Sequence, residues 1–217
     1  MIIYNPQFIL PQRLRQAKQI VEQIPAKYCF ITGSFLYKEK YKDIDVFVIT
    51  RSKKEIILKN KKIKITRIDF NDLYSLFYHS ISQSCIAKNI LLTKSLKVTL
   101  ADYWQVINEA IPTLLNDKHH FHKNIRFLIL YTEYFKTNKV LDTFQLNEKI
   151  NSFQDYTQVM AYLKQELPSI INKSAKPSYV KRFFYTQAGY YRDILYYDAQ
   201  KFLYMLTHEI TKNIAHG

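Results

Sequence analysis

The 217-residue chain is poor in glycine and cysteine, with three glycines and two cysteines. Few glycines mean few tight turns that require a positive φ, which favours a largely helical chain. Cys29 and Cys85 stand apart in apolar surroundings, which predicts buried free thiols in a reducing cytosol. The sequence also lacks an apolar run of membrane-spanning length, and its first residues lack a basic segment followed by an apolar one. We therefore expect a soluble cytoplasmic protein with no membrane partner.

Acidic residues are scarce relative to basic ones, 18 against 32, so the formal net charge is +14. This excess of positive charge favours an anionic partner, which would be an NTP, RNA or both. A lysine-rich proteome would give the same charge without any such partner, and that alternative stays open. A hydrophobic content of 47% indicates a folded chain with a sizeable core rather than a disordered one.

A tight turn follows the first clear strand of the chain. Residues 28–32 predict a buried strand, and Gly33 ends it with a residue that lets the backbone approach a ligand closely. Ser34 adds a hydroxyl and is expected to open a short helix, whose N-terminal N–H groups suit phosphate.

The next strand carries two carboxylates. Residues 43–50 predict a strand in which Asp43 and Asp45 project together, because alternate side chains of a strand share one face. Two neighbouring carboxylates repel each other unless a cation lies between them. Mg²⁺ is typically held by one or two carboxylates together with substrate phosphates, so the pair is a candidate metal site.

Gly33-Ser34, a short spacer and then Asp43-Ile44-Asp45 together resemble the signature of the DNA polymerase β-like nucleotidyltransferase superfamily. The resemblance covers residues 25–100. It implies a small mixed-sheet nucleotidyltransferase domain at residues 1–100. Beyond about residue 100 the apolar residues follow a helical period, so we expect an α+β fold with an α-helical bundle domain at residues 101–217. The resemblance also implies that an NTP binds in the cleft between these domains.

The resemblance further implies roles for individual residues. Gly33 and Ser34 would face the triphosphate, while Asp43 and Asp45 would bind two Mg²⁺ ions. A third carboxylate usually comes from a neighbouring strand, and Asp69 is the matching candidate for metal binding and catalysis. The alternative is that Asp69 has only a structural role, as a residue that leads into the next helix.

Three basic residues of the C-terminal half are further candidates. The C-terminal helices of this superfamily often contact the triphosphate, which makes Lys181, Arg182 and Arg192 candidate nucleotide ligands. No sequence motif fixes these residues.

The implied activity is transfer of a nucleoside monophosphate from an NTP to an acceptor hydroxyl, with release of pyrophosphate. RNA, a protein or a small molecule could supply the hydroxyl. The alternative is a catalytically inactive nucleotide- or RNA-binding module of a bacterial toxin–antitoxin-like pair. A HEPN-type ribonuclease is disfavoured, because it needs an arginine, then four to six residues and then a histidine on one helix, and no histidine of this chain stands at that distance after an arginine.

Hydrophobic periodicity predicts the remaining elements. In the first half these are a helix from Pro11 to near Pro25, a hairpin of 55–58 with 62–70, a helix from Asp72 to about Asn89 and an edge strand at 90–92. In the second half they are helices at 102–115, 119–135, 151–167 (ended by Pro168) and 178–214.

Overall fold

The structure is a computed structural model that describes residues 1–52, 54, 56, 58 and 60–174. The chain is mixed α/β and divides into two compact units. The first contains Met1–Val98 and Val140–Asn147, and the second contains Thr99–Lys139 and the described residues from Glu148 onward. The first unit thus includes a short segment, 140–147, that the sequence assigns to the helical domain.

A five-stranded mixed sheet forms the centre of the first unit. Its strands are β1 Ile2–Tyr4, β2 Tyr28–Thr32, β3 Ile44–Ile49, β4 Ile63–Ile68 and β5 Cys85–Ala87. They lie in the order β1-β5-β2-β3-β4. The β3–β4 pair is parallel, whereas the pairs β1–β5, β5–β2 and β2–β3 are antiparallel.

Helices cover both faces of this sheet. On one face, α1 (Pro11–Gln23) buries Ala17 and Val21 against Ile31 and Val46. On the other face, Phe30 of β2 packs with residues that include Tyr78 of α3 (Leu76–Ser82). Because both faces are covered, β2 and β3 are almost entirely apolar, and their polar residues are confined to the strand ends.

The second unit is helical in the part that the structure describes. Its elements are α4 Leu100–Asn116, α5 Phe121–Asn124, α6 Arg126–Thr137 and α8 Tyr156–Ser174, while α7 Thr143–Asn151 begins in the first unit. The buried Tyr103 hydroxyl of α4 lies 2.7 Å from Thr132 Oγ1 of α6, and its ring stacks on Phe135. Tyr162 of α8 donates a hydrogen bond to Glu133 of α6. These contacts join the three longest helices of the unit.

The elements nearest the tight turn are confirmed. β2 has the predicted bounds, β3 differs from its predicted bounds by one residue at each end, and α1 ends two residues before Pro25. Ser34 opens α2 (Ser34–Tyr37), a single helical turn. Both cysteines are buried free thiols.

The hairpin prediction is wrong in its pairing. β4 pairs in parallel with β3, with Ile44 opposite Ile63 and Ile49 opposite Ile68. Of the expected first arm, Ile56 and Leu58 lie outside any strand, and residues 55 and 57 are outside the described part of the chain. An adjacent apolar segment cannot reveal which strand it will pair with, because pairing depends on the whole sheet.

The helix expected at 72–89 is also wrong in its extent. Ser75 has an extended backbone and accepts a hydrogen bond from Tyr78 N–H, so it separates a 3₁₀ turn from the seven-residue α3. The chain then enters β5, which lies between β1 and β2. The strand therefore precedes the predicted position at 90–92 and is interior to the sheet.

The helical half departs from the predictions in three places. The helix expected at 119–135 is broken into a 3₁₀ turn, α5 and α6. α7 was not predicted, and α8 continues past Pro168 to Ser174. The helix expected at 178–214 lies outside the described residues. No helix in the described part of the chain is long and apolar enough to cross a membrane.

Candidate functional site

One end of the sheet collects polar residues from all five strands. Here β1 and β2 end, and β3, β4 and β5 begin, because of the antiparallel and parallel pairings given above. We call this the polar end of the sheet, and it comprises Asn5, Thr32, Gly33, Asp43, Asp45, Lys64 and Ser84. These residues come from five separate segments of the sequence, which the fold brings together.

Three of these residues form a row across adjacent strands. Asp45 is paired with Thr32 on β2 and with Lys64 on β4. Paired residues of neighbouring strands point to the same face, so these three side chains emerge on one face. That face is the one carrying Phe30 and Phe47, two residues away along β2 and β3. Asp45 is thus flanked by a hydroxyl and an ammonium group.

Position 33 requires a glycine for two reasons, its backbone conformation and the closeness of Asp45. Gly33 has φ 86° and ψ −170°, a region that residues with a side chain almost never occupy. A Cβ atom added here would lie 3.1 Å from Asp45 Oδ2. The glycine therefore allows the turn between β2 and α2 to pass directly against the Asp45 carboxylate. Its own carbonyl accepts a hydrogen bond from Leu36 N–H, which fixes the first turn of α2.

Lys64 forms an ion pair with Asp43, the first of the two carboxylates. Its Nζ donates a hydrogen bond to Asp43 Oδ2. This bond and the charges of Asp43 and Asp45 raise the pKa of the Lys64 ammonium group. Asp43 is the more enclosed partner, with 22% of its side chain exposed against 61% for Lys64. Lys64 therefore offsets the repulsion between the carboxylates while remaining free to rotate into solvent.

The donor set at the polar end suits Mg²⁺ when nucleotide phosphates complete the shell. Asp43 and Asp45 supply hard oxygen ligands, and one or two carboxylates plus phosphates is the usual set. Within the described residues, no group of three or more histidine, cysteine or acidic side chains could hold a metal ion alone. The expectation of two ions therefore depends on two carboxylates and the phosphates.

Asp69 is not part of this group, which corrects the prediction of a third carboxylate. β3 and β4 are parallel, so Asp69 follows the end of β4 while Asp45 lies near the start of β3. Five residues of strand separate Lys64 from Asp69, which corresponds to about 16 Å. Asp69 is exposed and accepts a hydrogen bond from Asn71 N–H, and its own N–H donates to Asp72. It leads into a 3₁₀ turn at what we call the far end of the sheet.

A buried hydrogen-bond network lies beside the row. The Asp142 carboxyl, 2% exposed, accepts from Ser84 Oγ at 2.7 Å and from Asn5 Nδ2 at 2.9 Å. Thr32 Oγ1 donates to the Ser84 carbonyl at 2.8 Å and lies 3.2 Å from Thr143 Oγ1. The network connects the start of α7 to the ends of β1, β2 and β5, and so to the strand position next to Asp45.

Asp142 also caps α7. Its Oδ1 accepts from Gln145 N–H at 2.8 Å, and Gln145 Oε1 accepts from Asp142 N–H at 3.2 Å. This reciprocal pair is a capping box, which satisfies two backbone donors at the helix start. Both carboxyl oxygens of Asp142 therefore accept hydrogen bonds, and its role is structural.

The sequence interpretation missed Lys64 and the Asp142 network. An acidic residue followed three positions later by glutamine was a usable signal for the start of α7. No local signal connects residue 142 with Ser84 or Asn5. Lys64 could be recognised only once the β3–β4 register was known.

The other predicted nucleotide ligands, Lys181, Arg182 and Arg192, lie outside the described residues. Gly33, Asp43 and Asp45 are brought together, and Ser34 follows Gly33 at the first position of α2. Comparisons of this chain with family models, with curated proteins and with solved structures found no match.

Proposed function

We propose that the protein is a Mg²⁺-dependent nucleotidyltransferase that transfers a nucleoside monophosphate from an NTP to an acceptor hydroxyl. The observation that carries this proposal is the approach of Gly33 to the Asp45 carboxylate, with Asp43 two residues away. A glycine placed directly against one carboxylate of a pair offers phosphate and metal adjacent positions.

Each group has a distinct part in this proposal. Asp43 and Asp45 hold two Mg²⁺ ions together with the phosphates, and Gly33 and Ser34 receive the β- and γ-phosphates. When bound, magnesium offsets the charge of the triphosphate and activates the acceptor oxygen. Lys64 moves from Asp43 towards a phosphate oxygen, since its exposed stem leaves it free to do so.

The reaction balances without any further reagent. The acceptor oxygen forms a bond to the α-phosphorus, and the bond from that phosphorus to the bridging oxygen breaks. Pyrophosphate leaves with the electron pair, and the hydroxyl proton is released to solvent. Positioning and charge stabilisation are the protein's contributions, as in phosphoryl transfer generally.

A second candidate is a nucleotide- or RNA-binding module that has no turnover, as one half of a bacterial toxin–antitoxin-like pair. The observation that favours it is Lys64, which occupies the neighbouring-strand position where a third carboxylate is expected. An ammonium group beside the carboxylates can substitute for one metal charge when a site only binds its nucleotide. Asp69, at the far end of the sheet, does not compensate.

Transfer of label from an α-³²P-NTP separates the two candidates. The protein is incubated with each NTP, Mg²⁺ and one of three acceptor pools: total RNA, total protein or a small-molecule extract. We expect labelled acceptor and an equal amount of unlabelled pyrophosphate from wild type, and neither product from Asp43→Asn/Asp45→Asn. Asp69→Asn is the matched control and should retain activity. Nucleotide binding without label transfer in any pool would favour the second candidate.

A further inference from the structure

Five exposed lysines surround the polar end of the sheet on its solvent side. They lie on two segments, the loop between α2 and β3 and the turn that precedes β4. We call them the basic rim: Lys38, Lys40, Lys42, Lys61 and Lys62. Asp43 directly follows the first segment and Lys64 closely follows the second, so the rim borders the carboxylate pair.

The two segments of the rim are joined to each other. Ile44 N–H donates to the Lys62 carbonyl at 2.9 Å, which fixes the turn beside the start of β3. The Lys62 ammonium lies 5.6 Å from the ring centre of Tyr41 in the other segment. Tyr41 in turn meets the buried ring of Phe35 edge-on, with centroids 5.0 Å apart. The lysines are therefore carried by one continuous surface.

Arg13 of α1 contacts and supports the loop between α2 and β3. Its guanidinium donates to the Glu39 carbonyl at 2.8 Å and lies 4.5 Å from the Tyr41 ring centre. It also lies 5.2 Å from the Phe35 ring centre. These contacts fix the loop backbone to the core, while the lysine side chains are exposed. The charges of the loop lysines are therefore carried by a backbone that is held in place.

The rim carries charge that the described residues do not neutralise. No ion pair joins a rim lysine to a carboxylate in the described part of the chain. Glu39 is the one acidic residue within residues 38–42 and 60–62. Five like charges on one surface repel each other, and a polyanion relieves this repulsion while releasing its own counterions.

We propose that the basic rim binds the phosphodiester backbone of a nucleic-acid strand and presents its terminal hydroxyl to Asp43 and Asp45. The identification of that hydroxyl as the acceptor rests on the proposed function, whereas binding of the strand does not. Five lysines with little neutralising charge between them favour a ligand that carries several charges in a row over a single carboxylate. A nucleic-acid strand offers such a row, and it releases condensed counterions when lysines neutralise its phosphates. Lysine binds each phosphate as a point charge, which needs no fixed geometry.

Strand binding is measured by fluorescence anisotropy in EDTA without NTP, so that it does not depend on the carboxylate site. The probe is a labelled 20-nucleotide single-stranded RNA, with DNA of the same sequence and poly-glutamate as comparison ligands. The rim variant is Lys38→Gln/Lys40→Gln/Lys42→Gln in the full chain. The matched control, Lys27→Gln/Lys94→Gln/Lys97→Gln, removes the same charge from exposed positions away from the rim.

Five phosphate contacts predict a slope of about −3.5 for log K against log salt, and the rim variant should reduce its magnitude by about 2. The rim variant should also lose at least about tenfold in affinity at low salt, while the control changes less than about threefold. DNA and RNA should bind equally, because the rim contacts phosphates. Equal losses in both variants, or poly-glutamate binding as tightly as RNA, would overturn the proposal.

Failure of the proposed function gives a different result. If Asp43→Asn/Asp45→Asn retains strand binding but wild type transfers no label, the rim proposal stands and the transferase proposal falls. If wild type transfers label to a small molecule or a protein and binds no strand, the rim proposal falls and the transferase proposal stands.

Discussion

The two ends of the central sheet contain similar residues and differ in what surrounds them. At the far end, Asp69 is exposed and bonded to its own neighbours in sequence, Asn71 and Asp72. At the polar end, Asp45 is paired with Thr32 and Lys64 on neighbouring strands and touches the turn at Gly33. Asp69 therefore stabilises the local turn, whereas Asp45 belongs to a group of residues that come together only in the folded protein.

This difference shows why residue type and spacing alone do not tell which carboxylates lie together. A carboxylate becomes a candidate ligand when the fold brings residues of other strands around it and a second carboxylate stands beside it. Further contacts support this position, because they connect Asp45 through Thr32 with the buried Asp142 network. The following predictions test whether the two ends differ as the structure indicates.

The largest expected effect on stability comes from Asp142→Ala. The substitution removes the cap of α7 and leaves the donors of Ser84 and Asn5 without their acceptor. Loss of the cap and of buried hydrogen bonds should lower the free energy of unfolding by about 3 kcal/mol. Urea denaturation followed by circular dichroism measures it. Asp69→Ala, at the far end, should cost less than about 1 kcal/mol, and an equal loss would refute the contrast.

Gly33→Ala should have the next largest effect. The alanine must adopt a backbone conformation that costs about 1–3 kcal/mol, and its Cβ would press on Asp45 Oδ2. Stability and Mg²⁺-dependent nucleotide affinity should therefore both fall. Thermal unfolding and nucleotide titration measure the two. Ser34→Ala is the adjacent control, and it should leave stability within about 0.5 kcal/mol of wild type. A Gly33→Ala protein as stable as wild type would contradict the described turn.

The elements that were predictable from sequence are those whose cues are local. β2 and β3 are runs of apolar residues, and the Gly33-Ser34 turn follows from glycine itself. The parallel pairing of β4 was not predictable, because neighbouring segments normally form hairpins and the preference is decided by the whole sheet. Asp69 was misplaced for that reason alone.

Two further elements escaped prediction for related reasons. β5 was assigned to a helix because its short segment, Cys85–Ala87, has no strand signature of its own and is fixed by pairing with β1 and β2. Asp142 was overlooked because its partners Ser84 and Asn5 lie 58 and 137 positions away. Long-range partners of this kind become visible only when the fold is known.

A moderate effect is expected for Lys64→Gln. Its ammonium group competes with a metal ion for Asp43, so its removal should lower the Kd for Mg²⁺ in the absence of nucleotide by roughly fivefold. Isothermal titration with Mg²⁺ measures the change. Lys27→Gln removes the same charge from the residue before β2, at the far end, and should leave the Kd unchanged. A weaker Mg²⁺ affinity in Lys64→Gln would mean that Lys64 supports the metal site instead of competing with it.

The smallest effect concerns the two thiols, which lie near opposite ends of the sheet. Burial raises the pKa of Cys29 to about 11 and also raises that of Cys85. Both thiols should thus stay unlabelled by a thiol reagent at about pH 8 until the protein unfolds, as read by mass spectrometry. Rapid labelling of Cys85 alone would show that the polar end is more open than described.

The raised pKa of Cys29 also makes the free energy of unfolding depend on pH. Because the pKa of Cys29 is higher in the folded protein, its contribution to the free energy of unfolding is complete below the ordinary thiol pKa. That contribution is lost as the pH rises towards about 11. Urea midpoints measured across this range should fall for wild type and fall less for Cys29→Ala.

Whether the polar end of the sheet binds nucleotide is decided by titration of labelled ATP, GTP, CTP and UTP, with Mg²⁺ and with EDTA. We predict binding that requires Mg²⁺, that Asp43→Asn/Asp45→Asn weakens by at least about a hundredfold, and that Asp69→Asn leaves within about twofold of wild type. Equal losses from the two variants, or binding unaffected by EDTA, would contradict the claim that the polar end of the sheet is the nucleotide site.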